Sequence, residues 1–322
     1  MRIRLMLFIF LLKFSISGNA QSTEFVMAEN YYKAEKFEKA KPILLSYLKK
    51  YPKDKLTREY LGDIASYDKK WDTALGYYEE LVKEQSSNAN YHFKYGGALG
   101  MKALSISRIR ALTYIDDIKE HFHKAAELDP NHIETRWALV ELYLQLPGII
   151  GGSTSKARDY ALELQKISPV DGYLARGYVE EHQNNLKEAE QFYKSAIKVG
   201  GSPTTYAKLI ALYEKDNEPQ KALDAATTSF KIHKRNQINY QIGKIAAEFN
   251  IEPVLGLASL KQYIANYSYK DGVPVGWAQY RMAQIYKNQG DKTRALHYIN
   301  LCLQDLPDFD KAIDEKKNIL AM

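Results

Sequence analysis

A single cysteine, Cys302, is all the cross-linking chemistry available to this chain of 322 residues, so no internal disulfide can staple it and its stability must come from packing. Cysteine pairs and the H-E-x-x-H spacing of helical zinc sites are both missing. Proline (10) and glycine (18) are too sparse for a fibrous or disordered chain, and apolar residues at 45% supply a sizeable core. Beyond the first twenty residues no run is long and apolar enough to be read as a membrane span.

The N-terminus has a separate logic. "MRIRLMLFIFLLKFSISGNAQS" opens with Arg2 and Arg4, continues with an apolar run from Leu5 to Leu12, and ends in small polar residues. Gly18 and Ala20 occupy the small-residue places before a cut ahead of Gln21. This is the layout of a secretory signal peptide, and the run is shorter than the ~20 residues that span a bilayer. Residues 1–20 are therefore expected to be a signal peptide cleaved after Ala20. Residues 21–322 would be the mature chain, exported to a periplasm or cell envelope.

That cut also removes most of the charge excess. The full sequence carries 45 basic and 39 acidic residues, a formal +6; without Arg2, Arg4 and Lys13 the balance is +3. A nucleic-acid partner is not expected, since such proteins carry a strong basic stripe. The lopsided stretch is Lys33–Lys55, where eight lysines oppose three acids. It reads as a solvated helical face or as a peripheral contact with an acidic envelope surface.

What the sequence does have is twenty-five tyrosines and a recurring skeleton of small residues. In "YRMAQIYKNQGDKTRALHYINLCLQDLP" (280–307), Ala283 and Tyr286 precede a turn at Gly290. Ala295, Ile299 and Cys302 then recur at helical spacing before Pro307. The same skeleton appears as Ala28, Tyr31, Ala40, Leu44, Tyr47, Pro52 and again as Gly62, Ala65, Ala74, Tyr78, Leu81. It returns as Gly177, Ala189, Tyr193, Ala196 and as Tyr213, Ala222, Ala226. Close helix crossing requires small side chains at such places, and the large residues fill the space beside them. Tyrosine suits a thin two-layer stack, because its ring packs inward while its hydroxyl reaches the edge.

This pattern resembles the tetratricopeptide repeat, a helix–turn–helix unit of about 34 residues, over essentially all of 21–322. The resemblance implies an all-α, right-handed superhelical solenoid of about eight units, starting near residues 21, 55, 89, 133, 170, 203, 236 and 276. A capping helix is expected at "DFDKAIDEKKNIL", with Asp308 or Asp310 as its N-cap. The seventh unit departs most, with Gly256 where alanine is usual and Pro253 near its turn. Longer connectors fall near 102–117 and 147–155.

The second connector, "QLPGIIGGSTSKARDYA", contains glycines, Ser/Thr and a lysine, as a phosphate loop would. Its spacing fails: the pattern G-x-x-x-x-G-K-[ST] needs glycine directly before the lysine, whereas Ser155 precedes Lys156 and Ala157 follows. Pro147 should stop the preceding helix, and Ser153 or Ser155 should cap the next. Elsewhere, His121 and His123 are two apart and point to different sides of a helix. Asp117 with His121 could share an ion but makes only two ligands. Cys302 fits a packing position. Adjacent carboxylates such as Asp116–Asp117 and Glu180–Glu181 face different ways, and no convergent catalytic set is legible. No enzyme, metal or cofactor is expected.

What remains is the face of the first helices, which the resemblance implies lines a groove. It carries Phe25, Glu29 and Tyr32, then Glu59, Asp63 and Tyr67, then Phe93, Trp137, Glu141 and Tyr178, followed by Tyr240 and Tyr280. Aromatics among acids suit a protein or peptide segment with basic side chains. Some relatives hold a partner's C-terminal carboxylate here with lysine and asparagine. The matching places here carry Phe25 with Glu29, Glu59 with Asp63, and Phe93 with Gly97, so that basic clamp is not expected. The function implied is a non-enzymatic interaction scaffold of the periplasm or envelope. The alternative is an envelope ligand or glycan carrier using loop 148–155.

Overall fold

The structure is a computed structural model that describes residues 23–322; the signal-peptide expectation lies outside these residues. Helices and short turns make up the described residues, with no strand among them, as the repeat pattern predicts. By contact the chain divides into two compact units, one ending at Asp129 and the other running from Pro130 to Met322.

The first unit holds three hairpins. They are α1 (Thr23–Lys33) with α2 (Phe37–Lys50), α3 (Lys55–Tyr67) with α4 (Trp71–Glu84), and α5 (Ala89–Leu104) with α7 (Ile115–Leu128). Between α5 and α7 lie the short helix α6 (Arg108–Ala111) and a 3-10 turn (Leu112–Tyr114), so the first long connector is partly helical. The second unit holds five hairpins. They are α8 (Ile133–Gln145) with α9 (Thr154–Ile167), α10 (Pro169–His182) with α11 (Leu186–Gly200), α12 (Pro203–Lys215) with α13 (Pro219–His233), α14 (Asn236–Phe249) with α15 (Pro253–Ala265), and α16 (Val275–Asn288) with α17 (Lys292–Asp305). Helix α18 (Asp310–Leu320) packs against α17 and α16. The hairpins begin within two residues of the places read from the sequence.

Local chemistry explains the boundaries. Asp54, Asn88, Ser153, Ser202 and Asp291 each cap a helix by accepting the backbone N–H three residues on. Of the two serines proposed for α9, Ser153 does the capping. The turn inside a hairpin uses a left-handed residue, and glycine supplies it at Gly290 (φ 76°). The same place is filled by Glu35, Lys69, Asn184 and Asn217, all at positive φ, which the sequence does not announce. One local expectation needs correction. Neither Asp308 nor Asp310 caps α18; Phe309 precedes it without a side-chain cap and Asp310 is its first residue. Pro253 does fall at the turn of the seventh hairpin, as the first residue of α15 after Glu252 at φ 43°. Gly256 then lets α14 approach through Ala246, where a Cβ would collide.

The cores follow the small-large pairing. Gly62 leaves room for the ring of Tyr78, and Gly177 for that of Tyr193; a Cβ on Gly62 would stand 2.5 Å from the Tyr78 ring. Ala28, Ala40, Ala74, Ala189, Ala222 and Ala295 are fully buried at helix crossings. Buried tyrosines keep their hydroxyls bonded: Tyr78 donates to Asp63 at 2.7 Å, Tyr193 to Glu181 at 2.8 Å, and Tyr263 to the Val273 carbonyl. Burial holds the hydroxyls of Tyr78 and Tyr193 well above the usual phenol range.

Candidate functional site

In the first unit, the residues of the sequence-derived face divide into packing, cross-linking and exposed groups. Phe25 is 2% exposed and packs on Tyr47 and Tyr60. Tyr32 stacks on Tyr60 at 4.0 Å, and its hydroxyl donates to Asp63 at 2.6 Å. Glu29 accepts from the Tyr60 hydroxyl at 2.9 Å and pairs with Lys33, which together hold its carboxyl below the usual range, the Lys33 bond contributing most. Glu59 and Asp63 both receive the Lys94 ammonium, at 2.6 and 2.7 Å, and Asn90 adds a bond to Glu59 at 2.8 Å. Phe93 lies beside Phe122. Tyr67 touches Phe37 edge-on yet stays 70% exposed.

A lysine and an asparagine therefore do reach this face, from α5 positions beside Phe93 rather than from the places compared in the sequence. Lys94 and Asn90 spend their donors on the chain's own carboxylates. The signal was readable in principle: Lys94 sits at α5 positions that face α3 once the 34-residue register is applied. Its long side chain reaches back across the hairpin boundary, and that reach is not visible in a linear pattern.

The second unit repeats this cross-linking between first helices. Lys215 reaches Glu181, Lys244 reaches Glu214 at 3.0 Å, and Arg281 reaches Glu248 at 2.6 Å. Trp137 donates its indole N–H to Asp171 at 3.0 Å, Gln145 donates to the Tyr178 hydroxyl, and the Lys208 ammonium stands 5.7 Å over the Tyr178 ring. Glu141 is exposed, Trp137 and Tyr178 are half-buried, and Tyr240 and Tyr280 are buried. Beside Lys208, α12 presents the small side chains of Thr204, Ala207 and Ala211 to solvent. The result is an open groove of about 470 Å³ between α12 and α14, with Ile210 and Ile238 in its floor and Glu214, Arg235, Gln237, Gln241 and Lys244 around it.

The remaining candidates are committed elsewhere. In the lysine-rich stretch, Lys33, Lys41 and Lys50 pair with Glu29, Asp68 and Glu24, and Lys55 donates to Gln85. In the glycine connector, Gly151 takes φ 96°, Gly152 has no room for a side chain against the Leu146 carbonyl, and the N–H groups of Gly152 and Ser153 bond to Pro147 and Tyr143. Those contacts belong to a tight helix-to-helix link. Cys302 is fully buried, and burial pushes its thiol up to about 11. His121 shares its Nδ1 with Nδ1 of His92 at 2.8 Å, while His92 Nε2 lies 3.0 Å from the Ser86 carbonyl. Among the described residues no three His, Cys, Asp or Glu side chains gather as a metal site would need. None of the described helices is long and apolar enough to cross a membrane.

Stacked helical hairpins joined by short turns, with small residues at each crossing and polar cross-links between first helices, define a helical-repeat protein. A tetratricopeptide-repeat family model matches residues 25–90 and another matches residues 277–308. The chain is a tetratricopeptide-repeat protein. The crystal structure of a tetratricopeptide repeat protein from Parabacteroides merdae is similar at a TM-score of 0.52 and 13% identity, covering 92% of this chain and 97% of that one. Yeast Tom70 is similar at a TM-score of 0.63 and 15% identity, covering 95% of this chain and 64% of that one. Both likenesses speak to fold. No curated protein matches the chain by sequence.

Proposed function

We propose that this protein is a binding scaffold rather than a catalyst, holding a segment of another protein against the first-helix face of its hairpins. The observation that carries the reading is the groove between α12 and α14. Exposed Ala207 and Ala211 leave a gap there, bordered by groups that donate and accept hydrogen bonds. Half-buried Trp137 and Tyr178 with exposed Glu141 and Lys208 extend the same helix face. Half-exposed aromatics give contact area at low entropic cost, and mixed charge selects register. The segment that fits carries an apolar side chain for the alanine gap and flanking groups of both signs. Tyr67 offers a similar exposed ring in the first unit. Glu29, Glu59 and Asp63 are spent on internal bonds, so the part of the surface that selects basic side chains rests on Glu141.

The test is photo-crosslinking of the full chain in its own source, with the reactive residue placed at 211 or, for comparison, at exposed position 188 on the second-helix side. A discrete protein adduct at 211 and none at 188 is the expected result. Equal adducts at both positions, or none at 211, would end the reading. Export to a periplasm or envelope is part of the proposal and rests on the Arg2–Ala20 pattern. Recovered protein beginning at Gln21 would support it, and retained residues 1–20 would count against it.

A further inference from the structure

The connector between α5 and α7 gathers several exposed apolar side chains. Met101 and Leu104 at the end of α5 are 45% and 80% exposed, Ile109 in α6 is 81% exposed, and Leu112 is 50% exposed. Helix α6 packs with α5 and the following 3-10 turn of its own connector. Arg108 and Arg110 flank Ile109 in α6, and both are exposed. Among the described residues neither guanidinium has a carboxylate at ion-pair distance. Consecutive helical residues are set about 100° apart, so the two cations fall on either side of Ile109.

We propose that this connector, Met101 to Leu112, is a docking tip for an anionic lipid surface. An inserted apolar side chain flanked on both sides by cations matches a bilayer, where headgroup phosphates surround any point of entry and no preformed cavity is needed. Burial of Leu104, Ile109 and Leu112 supplies the apolar part and Arg108 with Arg110 the electrostatic part. Local hydrogen bonds already satisfy some of the backbone: Ser105 Oγ donates to the Lys102 carbonyl at 2.7 Å, and Thr113 Oγ1 to the Arg110 carbonyl at 2.9 Å. Exposed Asp116 and Asp117 open α7 directly afterwards, so the contact is shallow and these carboxylates stay in water. Other exposed features lack the combination. Ile149, 96% exposed, has no arginine beside it, and the Lys33–Lys55 stretch has several of its cations paired. The inference stands apart from the partner-binding reading and does not depend on it.

The experiment uses the full chain labelled with an environment-sensitive nitrobenzoxadiazole group on Leu112→Cys; buried Cys302 does not compete for the label. The reporter senses only its own site, so an apolar N-terminal segment common to every variant does not confuse it. Phosphatidylcholine vesicles containing phosphatidylglycerol should brighten and blue-shift the emission, while phosphatidylcholine alone should not. Added salt should weaken the response. Arg108→Glu with Arg110→Glu should lower vesicle affinity by at least about tenfold, with helicity unchanged. A label on exposed Ser87→Cys should stay silent. The proposal is overturned by no response to anionic vesicles, by an equal response to neutral ones, by indifference to the charge reversal, or by an equal response at position 87. A concentration-dependent shift without vesicles would assign the patch to self-association and overturn it as well.

Discussion

Lys94 Nζ lies 2.7 Å from Asp63 Oδ2, tying the first helix of the third hairpin to that of the second. The same ammonium reaches Glu59 at 2.6 Å, and all three side chains are about four-fifths withdrawn from solvent. Two carboxylates this close are tolerable because one cation lies between them.

Removing that cation should therefore cost more than a surface charge does. Lys94→Met is expected to destabilise the protein by about 1–3 kcal/mol, because two partly buried carboxylates lose their donor. Adding Glu59→Gln and Asp63→Asn should recover part of the loss. Exposed Glu141→Gln should stay within about 0.5 kcal/mol of the parent. Denaturant titration of each variant checks the order.

Glycine substitutions should change sign with the space beside them. Gly62→Ala drives a methyl into the Tyr78 ring, which is 2% exposed and held by Asp63. Overpacking of about 1–3 kcal/mol should outweigh the gain of up to ~1 kcal/mol from alanine's helix preference. Gly97→Ala and Gly100→Ala, on α5 with open space at Cβ, should stabilise by up to ~1 kcal/mol. Thermal melts of the three variants decide it.

The His92–His121 pair gives the first unit a pH dependence near neutrality. His121 is shifted below its ordinary value, by burial first and then by His92, against upward pulls from Glu120 and Asp117. The folded state thus resists a proton that the unfolded chain accepts. Stability is full above the unfolded value of about 6.5 and declines as pH falls from there toward the folded value. Carboxylates held low by arginine, Glu84 and Glu180, lose their contribution in a separate, more acidic window. His121→Gln should flatten the first decline and leave the second. Stability measured across both windows separates them.

Cys302 should be silent in the folded protein. With its thiol at about 11, the thiolate fraction near pH 8 is on the order of one in a thousand, and burial blocks what remains. Thiol-reactive reagent should modify it at the rate of opening of the hairpin α16–α17. Fast labelling of native protein would show that this hairpin is open in solution.

The sequence determined the hairpins because their information is local and periodic. Small residues at crossings, apolar spacing along each helix and prolines at helix ends fix eight units to within a couple of residues. Pro253 was legible as lying near a turn but not as the start of α15, since a proline inside a turn and one at the first helical position look alike without the preceding backbone conformation. The left-handed turn residues Glu35 and Lys69 carry no sequence mark at all. The face of the first helices was legible as a set of positions: Trp137, Glu141 and Tyr178 are at or near solvent, while Phe25, Tyr240 and Tyr280 are core.

Only the tertiary structure decided which charges are free. Whether Glu59 and Asp63 can attract a partner depends on Lys94, thirty-odd residues away, and whether Glu214 can depends on Lys244. Helix formation and crossing are set by side-chain size and spacing along the chain, and a sequence records both. Charge pairing is set by distances between side chains of neighbouring hairpins, and those distances exist only after the hairpins have packed.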